Sequence, residues 1–246
     1  MTLRFRLDIA GRTDTGRVRS HNEDSLAWDE AHGLAVLADG MGGYSAGEVA
    51  SQMATTQLLT ALSGTDSDQV NADMLIAVTS QVNSAIYQSA QETPGCEKMG
   101  TTMVALCLTE NGVLIGHIGD SRAYRLRGST FSQLTEDHSL LRQMLDDGTI
   151  NEAEAHNSRY RNVVTRALGV WPECEAQLTE VSTMAGDIYL LCSDGLSNMV
   201  GDEEIAATIS SMNDCEAMIQ SLVDKANQAG GEDNISVIVA RVVAVE

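Results

Sequence analysis

The stretch LAVLADGMGG, residues 34–43, joins a short apolar run to a carboxylate and three glycines. The run LAVLA contains only aliphatic side chains, which favours a strand buried on both faces. Asp39 follows it directly, and the glycines at positions 40, 42 and 43 leave the adjacent backbone without side chains. Such a bare backbone allows a carbonyl oxygen to approach a ligand closely.

Length and composition restrict the class of protein. The chain has 246 residues, of which 43% are hydrophobic, so we expect one domain over 1–246. No apolar run approaches the length of a membrane span, and the first sixteen residues lack the apolar core of a signal peptide. We therefore expect no membrane contact and a cytoplasmic location.

Charge and cysteine usage exclude further classes. The formal charge of −20 would repel nucleic acid and anionic lipid, so neither is expected as a partner. The five cysteines are odd in number and contain no C-x-x-C pair, which argues against a disulfide framework and a zinc ribbon. We expect reduced, structural thiols.

Further strands and helices can be read from the hydrophobic pattern. Helices are predicted after Ser45, which with Glu48 fits a capping box, and from about Asn71. A helix-rich tail precedes the last strand, and the turns at 110–112 and 127–129 favour hairpins. Two antiparallel sheets with helices packed outside fit this order. The predicted strands are 33–38, 101–109, 113–119, 123–127, 187–192 and 235–243.

Four aspartates share one pattern. Asp39, Asp120 and Asp194 each follow an apolar strand, Asp233 precedes the last one, and all four have a glycine within three residues. One such aspartate is usually only part of a turn. Four at strand ends can gather at one sheet edge, where they would repel each other without a cation among them. Oxygen ligands of this kind select Mg²⁺ or Mn²⁺ over Zn²⁺.

Seven motifs occur in a characteristic order: RSHNED (19–24), ADGMGG (38–43), GTT (100–102), GDSRAY (119–124), EDHS (136–139), CSDGL (192–196) and GEDNIS (231–236). In this order the chain resembles the metal-dependent protein serine/threonine phosphatases of the protein phosphatase 2C-like family, in their bacterial stand-alone form. The resemblance implies an α+β fold, a four-layer α-β-β-α sandwich with two central antiparallel sheets. It also implies a small flap subdomain at about 142–166.

The resemblance also implies a set of site residues. Asp39 would bridge two tightly bound Mn²⁺ or Mg²⁺ ions, with the carbonyl of Gly40 on the first ion and Asp194 and Asp233 on the second. Asp120, with Asp194, would hold a weaker third ion. Three further residues would orient ion-bound water or support the site from behind: Glu23, Asp24 and Asn234.

The implied reaction is hydrolysis of phosphoserine and phosphothreonine by direct attack of a hydroxide that bridges the two ions. Arg19 would bind the phosphate oxygens with its guanidinium fork. The eukaryotic branch of the family has a histidine after the aspartate-glycine pair, where this chain has Met41. His21 and His138 are alternative proton donors, although a lone histidine is more often structural and an ion-bound water is favoured.

Other chemistries lack their residues. No arginine stands six residues after a cysteine, as cysteine-based phosphatases require, and no D-x-D-x-T or P-loop is present. A metal-dependent nuclease is disfavoured by the acidic surface. The alternative from another class is a non-catalytic phosphoprotein-binding regulator with the same fold. Loss of a metal-binding aspartate would indicate such a regulator, and all four are present.

The expected partners are phosphorylated proteins, among them a serine/threonine kinase of the same cell and its substrates, and the chain is expected to be monomeric. Kinases that control type VI secretion are one class implied by the resemblance. Within the predicted flap, Arg159, Arg161 and Arg166 form a positive island that would attract a phosphopeptide, with Arg159 and Arg161 as the expected substrate contacts. The competing interpretation is that these arginines pair with acidic residues of the flap itself.

Overall fold

The computed structural model describes residues 4–42, 46–65, 69–151, 154, 160 and 162–245. Its β-structure occupies both halves of the chain, and each predicted strand is found there. The strands are β1 (Phe5–Asp14), β2 (Asp24–Asp29), β3 (Leu34–Met41), β4 (Gly100–Thr101), β5 (Met103–Thr109), β6 (Gly112–Ile118), β7 (Arg122–Arg127), β8 (Thr130–Gln133), β9 (Gln177–Val181), β10 (Ile188–Cys192) and β11 (Ile235–Ala244).

These strands form two antiparallel sheets. The first has the order β1-β11-β10-β7-β8, and the second has the order β2-β3-β5-β6-β9, with β4 paired to the end of β3. The predicted hairpins are confirmed, since β5 pairs with β6 and β7 pairs with β8 in antiparallel register. Four strands were not predicted: β1, β2, β8 and β9. All four lie at sheet edges, where polar side chains weaken the hydrophobic signal.

The helices lie outside the sheets. Asn71 caps the second helix by accepting the N–H of Met74 at 3.0 Å, as its sequence position predicts. Ser45, the predicted cap of the first helix, lies outside the described residues. The helices are α1 (Ala46–Ser63), α2 (Ala72–Glu92), α3 (Leu140–Asp146), α4 (Asp194–Ser197), α5 (Asp202–Ser210) and α6 (Cys215–Gln228).

Three apolar clusters establish four layers. Between the sheets, Leu37 and Leu106 of the second sheet pack with Ile238 of the first. The alternate faces of the strands pack outward, because successive side chains of a strand point to opposite sides. There α1 and α2 cover the second sheet, and α5 and α6 cover the first. The α-β-β-α sandwich predicted from the resemblance is confirmed.

Two expectations from composition can be compared with the structure. All five cysteines are free, and Cys107, Cys192 and Cys215 are buried, as expected for structural thiols. Burial raises the pKa of the Cys192 thiol to about 12, so this sulfur stays protonated at neutral pH. None of the described helices is long and apolar enough to cross a membrane.

Candidate functional site

The four predicted aspartates lie together in one cleft, and each sheet contributes two of them. Asp39 lies near the C-terminal end of β3 and Asp120 follows β6 in the second sheet, whereas Asp194 follows β10 and Asp233 precedes β11 in the first. All four line a cleft of about 440 Å³. The cluster therefore sits across the two sheets, rather than along one edge as the sequence suggested.

The other predicted residues surround this cluster. Arg19, Glu23, Gly40 and Asn234 line the cleft, as does Met41 at the position of the family's eukaryotic histidine. A nitrogen of the Arg19 guanidinium lies 2.7 Å from Asp233 Oδ2. The Asn234 side chain accepts the N–H of Glu23 at 2.8 Å and donates to the carbonyls of Thr15 and His21. Asn234 thus holds the 15–23 segment beside the cleft.

Asp24 lies behind the cleft and is buried. Ser193 Oγ donates to Asp24 Oδ2 at 2.9 Å and accepts the N–H of Ser236 at 3.0 Å. Asp24 belongs to the second sheet, whereas Ser236 belongs to β11 of the first sheet and Ser193 directly follows β10 of the first sheet. This contact therefore joins the two sheets beneath the aspartates. Sequence reasoning missed the serines, although Ser193 stands inside the CSDGL motif.

Burial and mutual repulsion raise the pKa values of the clustered aspartates. The pKa of Asp39 lies well above its usual range because of burial and the charges of nearby acids, Asp24 and Asp194 foremost. Burial, together with neighbouring carboxylates, raises the pKa of Asp24 and of Asp120 to about 7. The pKa of Asp194 rises to about 6 through burial and the charge of Asp233. Such a cluster favours bound positive charge.

The residues fit a divalent cation. Glu23 Oε1 and Asp24 Oδ1 are buried and have no hydrogen-bond partner among the described residues. Each of these two carboxylate oxygens can therefore accept a hydrogen bond from water or bind a cation. The cluster offers oxygen atoms only, which suits Mg²⁺ or Mn²⁺. In the described part of the chain no three acidic, histidine or cysteine side chains form a ready-made ligand set. In this arrangement Arg19 donates to Asp233 Oδ2.

Both the backbone N–H and the backbone carbonyl of Asp39 are hydrogen-bonded. The N–H of Asp39 donates to Thr102 Oγ1 at 2.9 Å, and its carbonyl accepts the N–H of Thr102 at 2.8 Å and the hydroxyl of Thr101 at 2.9 Å. Thr102 Oγ1 also lies 2.7 Å from Ser121 Oγ. Residues of the GTT and GDSR motifs thus hold the backbone of Asp39 in place. The motifs mark these residues in the sequence, but the sequence alone does not show this role.

Neither histidine considered as a proton donor lines the cleft. His138 is buried, and its Nδ1 accepts the N–H of Gly119 at 3.1 Å while its Nε2 lies 3.0 Å from Gln177 Oε1. The ring also stacks on His117. Burial lowers the pKa of His138, so the ring is neutral and fixes the loop before Asp120. These contacts give His138 a structural role, and an ion-bound water stays the favoured proton donor.

Part of the predicted flap forms one wall of the cleft. Leu140 begins α3, and its N–H donates to the carbonyl of Val163, while Ser139 and Val164 form an isolated antiparallel bridge. Asn162, Val163 and Val164 line the cleft, a position that was not predicted for them. Arg159 and Arg161 lie outside the described residues, so their role in substrate binding stays a prediction.

The raised pKa values predict how the metal-free protein responds to pH. Asp24, Asp120 and Asp194 bind protons more tightly in the folded chain than in the unfolded one, where the value is 3.8. Their stabilising contribution is full below about pH 4 and is lost as pH rises through 6 to 7. In EDTA, the melting temperature should fall by on the order of 5 °C between pH 5 and pH 8.

The control for this prediction replaces one acid at a time. Asp120→Asn should flatten the fall, whereas Asp224→Asn, on the exposed surface of α6, should leave it unchanged although it removes the same charge. Mn²⁺ should restore stability at pH 8 in the wild type. Equal slopes for the two variants would contradict the assignment of the pH dependence to the cluster.

Comparison with known proteins identifies the family. A family model described as Protein phosphatase 2C matches residues 15–233, which contain every predicted metal-site residue. The chain belongs to the protein phosphatase 2C family. The matched range contains the strands β2 to β10 and all the described helices, so family membership applies to the fold described above.

Individual relatives agree with this assignment. The serine/threonine protein phosphatase PstP of Mycobacterium tuberculosis is 41% identical over 240 residues, which make up 96% of this chain but only 45% of PstP. This chain thus spans less than half the length of that relative. The serine/threonine phosphatase stp of Listeria welshimeri is 39% identical over 92% of each chain. The PstP catalytic domain, solved in complex with two manganese ions, has a TM-score of 0.85 at 40% identity and covers 97% of this chain and 99% of that domain.

Proposed function

We propose that this protein is a Mn²⁺- or Mg²⁺-dependent phosphatase of phosphoserine and phosphothreonine residues in proteins. The observation that carries the proposal is the cleft in which both sheets place carboxylates beside the exposed guanidinium of Arg19. Serine/threonine phosphatase relatives that match nearly all of this chain support the same activity.

The assignment of residues to the ions is the one that the family resemblance implies, and it is supported by the position of these residues around one cleft. Asp39 would bridge two ions, with Gly40 contributing its carbonyl oxygen to one and Asp194 and Asp233 binding the other. Asp120 would bind a weaker third ion with Asp194. When bound, the ions neutralise phosphate charge and lower the pKa of water, so that hydroxide can attack phosphorus directly.

The remaining residues bind and orient. Arg19 is half-exposed at the cleft, where its guanidinium can contact two phosphate oxygens. No cysteine or histidine stands among the described residues that line the cleft, so these offer no nucleophile for a cysteinyl or histidyl phosphoenzyme. Glu23 and Asp24 would orient water, because each presents a buried carboxylate oxygen without a partner in the described structure.

The proposed partners are phosphorylated proteins, including a serine/threonine kinase of the same cell and the substrates of that kinase. In this proposal the charged residues that line the cleft bind the ions and the phosphate, so they do not select the amino-acid sequence around the phosphorylated residue. The choice among phosphoproteins therefore depends on surfaces outside the aspartate cluster.

The proposed function can be tested by phosphate release from phosphoserine, phosphothreonine and phosphotyrosine peptides. Release from the first two should require Mn²⁺ or Mg²⁺ and stop in EDTA, and it should be slower from phosphotyrosine. Binding of these peptides without any release under saturating Mn²⁺ would instead support the non-catalytic regulator.

Arg19→Ala should weaken substrate binding more than it weakens the binding of the metal ions. Loss of a charge-assisted contact with phosphate corresponds to about 1.5–3 kcal/mol, so kcat/KM for a phosphopeptide should fall roughly tenfold to a hundredfold. The measurement is steady-state kinetics at saturating Mn²⁺, with inhibition by free phosphate as a second readout.

Arg6→Ala is the matched control for Arg19→Ala. Arg6 is also exposed and pairs loosely with Glu30, 3.7 Å away, but it does not line the cleft. Its loss should leave kcat/KM within about twofold, since exposed pairs contribute little. Unchanged kinetics in Arg19→Ala would mean that Arg19 is a surface residue only.

A further inference from the structure

An exposed tryptophan stands on a loop whose backbone is tightly held. Ala167 and Leu168 are buried, but the next side chains emerge from the surface, with Val170 40% and Trp171 62% exposed. We call residues 169–172 the Trp171 loop. A lone exposed apolar residue needs no explanation, but a large aromatic ring on a rigid support is typical of binding surfaces.

Asn83 of α2 provides that support. Its side chain is buried, with Oδ1 accepting the N–H of Gly169 at 2.8 Å and Nδ2 donating to the carbonyls of Trp171 at 3.1 Å and Pro172 at 3.2 Å. Gly169 has φ +80°, and a Cβ there would lie 2.2 Å from Ile86 Cγ2. The loop backbone is thus fixed against α2 while the indole remains exposed, which reduces the entropy lost when a partner binds.

The loop is continuous with the cleft. A Cβ on Gly100 would lie 2.6 Å from Val170 Cγ2, and Gly100 pairs with Met41, which lines the cleft. Val163, 41% exposed, also lines the cleft. Gly100 therefore links Met41, in the wall of the cleft, to Val170 of the Trp171 loop.

Charge indicates the chemistry of the occupant. Glu173 and Glu175 stand two and four residues after the tryptophan and are exposed, on a chain whose formal charge is −20. When a bound polypeptide places an apolar side chain on the indole, the residues next to that side chain lie near these carboxylates. Lys or Arg beside the apolar residue complements them, whereas Asp or Glu is repelled.

We infer that the Trp171 loop binds the polypeptide that flanks the phosphorylated residue, selecting an apolar side chain next to Lys or Arg. The inference rests on the proposed function, because it assigns the occupant as a phosphoprotein substrate. The loop is a specificity surface outside the reacting atoms, so it changes which phosphoprotein binds and leaves the chemistry of the phosphate unaltered.

The test uses two tryptophan-free phosphothreonine peptides of equal length. One carries leucine and arginine on both sides of the phosphothreonine, and the other carries alanine and glutamate at the same positions. Trp171→Ala should lower kcat/KM for the first peptide at least about fivefold, mainly through KM. It should leave hydrolysis of the second peptide and of para-nitrophenyl phosphate nearly unchanged.

Two further variants serve as controls. Trp171→Phe keeps an aromatic ring and should retain most of the preference for the leucine-arginine peptide. Trp28→Phe changes the other tryptophan, on β2, and should leave all three substrates unaffected. Equal losses with all substrates in Trp171→Ala, or no loss with any, would overturn the inference.

A binding measurement separates this inference from the proposed function. In the Trp28→Phe, Asp39→Asn double variant, Trp171 is the remaining tryptophan, and its emission should shift when the leucine-arginine peptide is added. A shift without turnover in the wild type would refute the phosphatase proposal but retain the docking surface. Turnover in the wild type without a shift would refute the docking surface. Self-association that Trp171→Ala abolishes would reassign the loop to a second copy of the chain.

Discussion

Asp39→Asn is expected to abolish Mn²⁺-dependent phosphate release while the protein stays folded. Asp39 lies among the other acids of the cleft, and they raise its pKa together with burial. Replacing the carboxylate removes the proposed bridging ligand, and several kcal/mol of transition-state stabilisation depend on the ions. Turnover should therefore fall by about a thousandfold or more.

Thermal melting distinguishes this loss from unfolding. Without metal, Asp39→Asn should melt at the same temperature as the wild type or higher, because one source of repulsion in the cluster is gone. Mn²⁺ should stabilise the variant much less than the wild type. Asp224→Asn removes the same charge from the exposed surface of α6 and should retain full activity. Substantial Mn²⁺-dependent turnover in Asp39→Asn would contradict the metal assignment.

Gly40→Ala is expected to damage both stability and activity, although it adds one methyl group. A Cβ at this position would lie 2.2 Å from the carbonyl oxygen of Gly47 and 2.5 Å from that of Glu23. Both obstacles are backbone atoms, so they move only if β3, α1 or the 19–24 segment shifts. Overpacking of this kind destabilises by about 3 kcal/mol or more, and Asp39 would shift with the strand.

Denaturant unfolding and Mn²⁺ titration measure the two effects of Gly40→Ala. Gly64→Ala is the matched control, because a Cβ there would meet its nearest neighbour, the carbonyl of Thr60, at 3.4 Å. That variant should change the free energy of unfolding by less than about 0.5 kcal/mol. Wild-type stability and activity in Gly40→Ala would show that the backbone relaxes easily and that close packing at Gly40 is not required.

The strands predicted from sequence and those that were missed differ in position within the sheets. β3, β5, β6, β10 and β11 are interior strands, nearly all of whose side chains are buried, so their sequences are continuous apolar runs. β1 and β9 are edge strands that expose polar and charged residues, as in FRLDIAGRTD and QLTEV. A hydrophobic run in the sequence indicates a buried strand. An edge strand with one solvated face contains too few hydrophobic residues to give such a run.

The sequence by itself determined the interior strands, the two long helices, the order of the motifs and the identity of the acids, because apolar runs and Asp-Gly strand ends are local features. Only the tertiary structure decided that Asp39 and Asp120 come from one sheet and Asp194 and Asp233 from the other. It also decided that His138 is buried, that Ser193 joins Asp24 across the sheets, and that Trp171 is exposed on a backbone held by Asn83. These facts depend on contacts between residues distant in sequence, and such contacts arise from packing the two sheets face to face, which no local pattern of residues encodes.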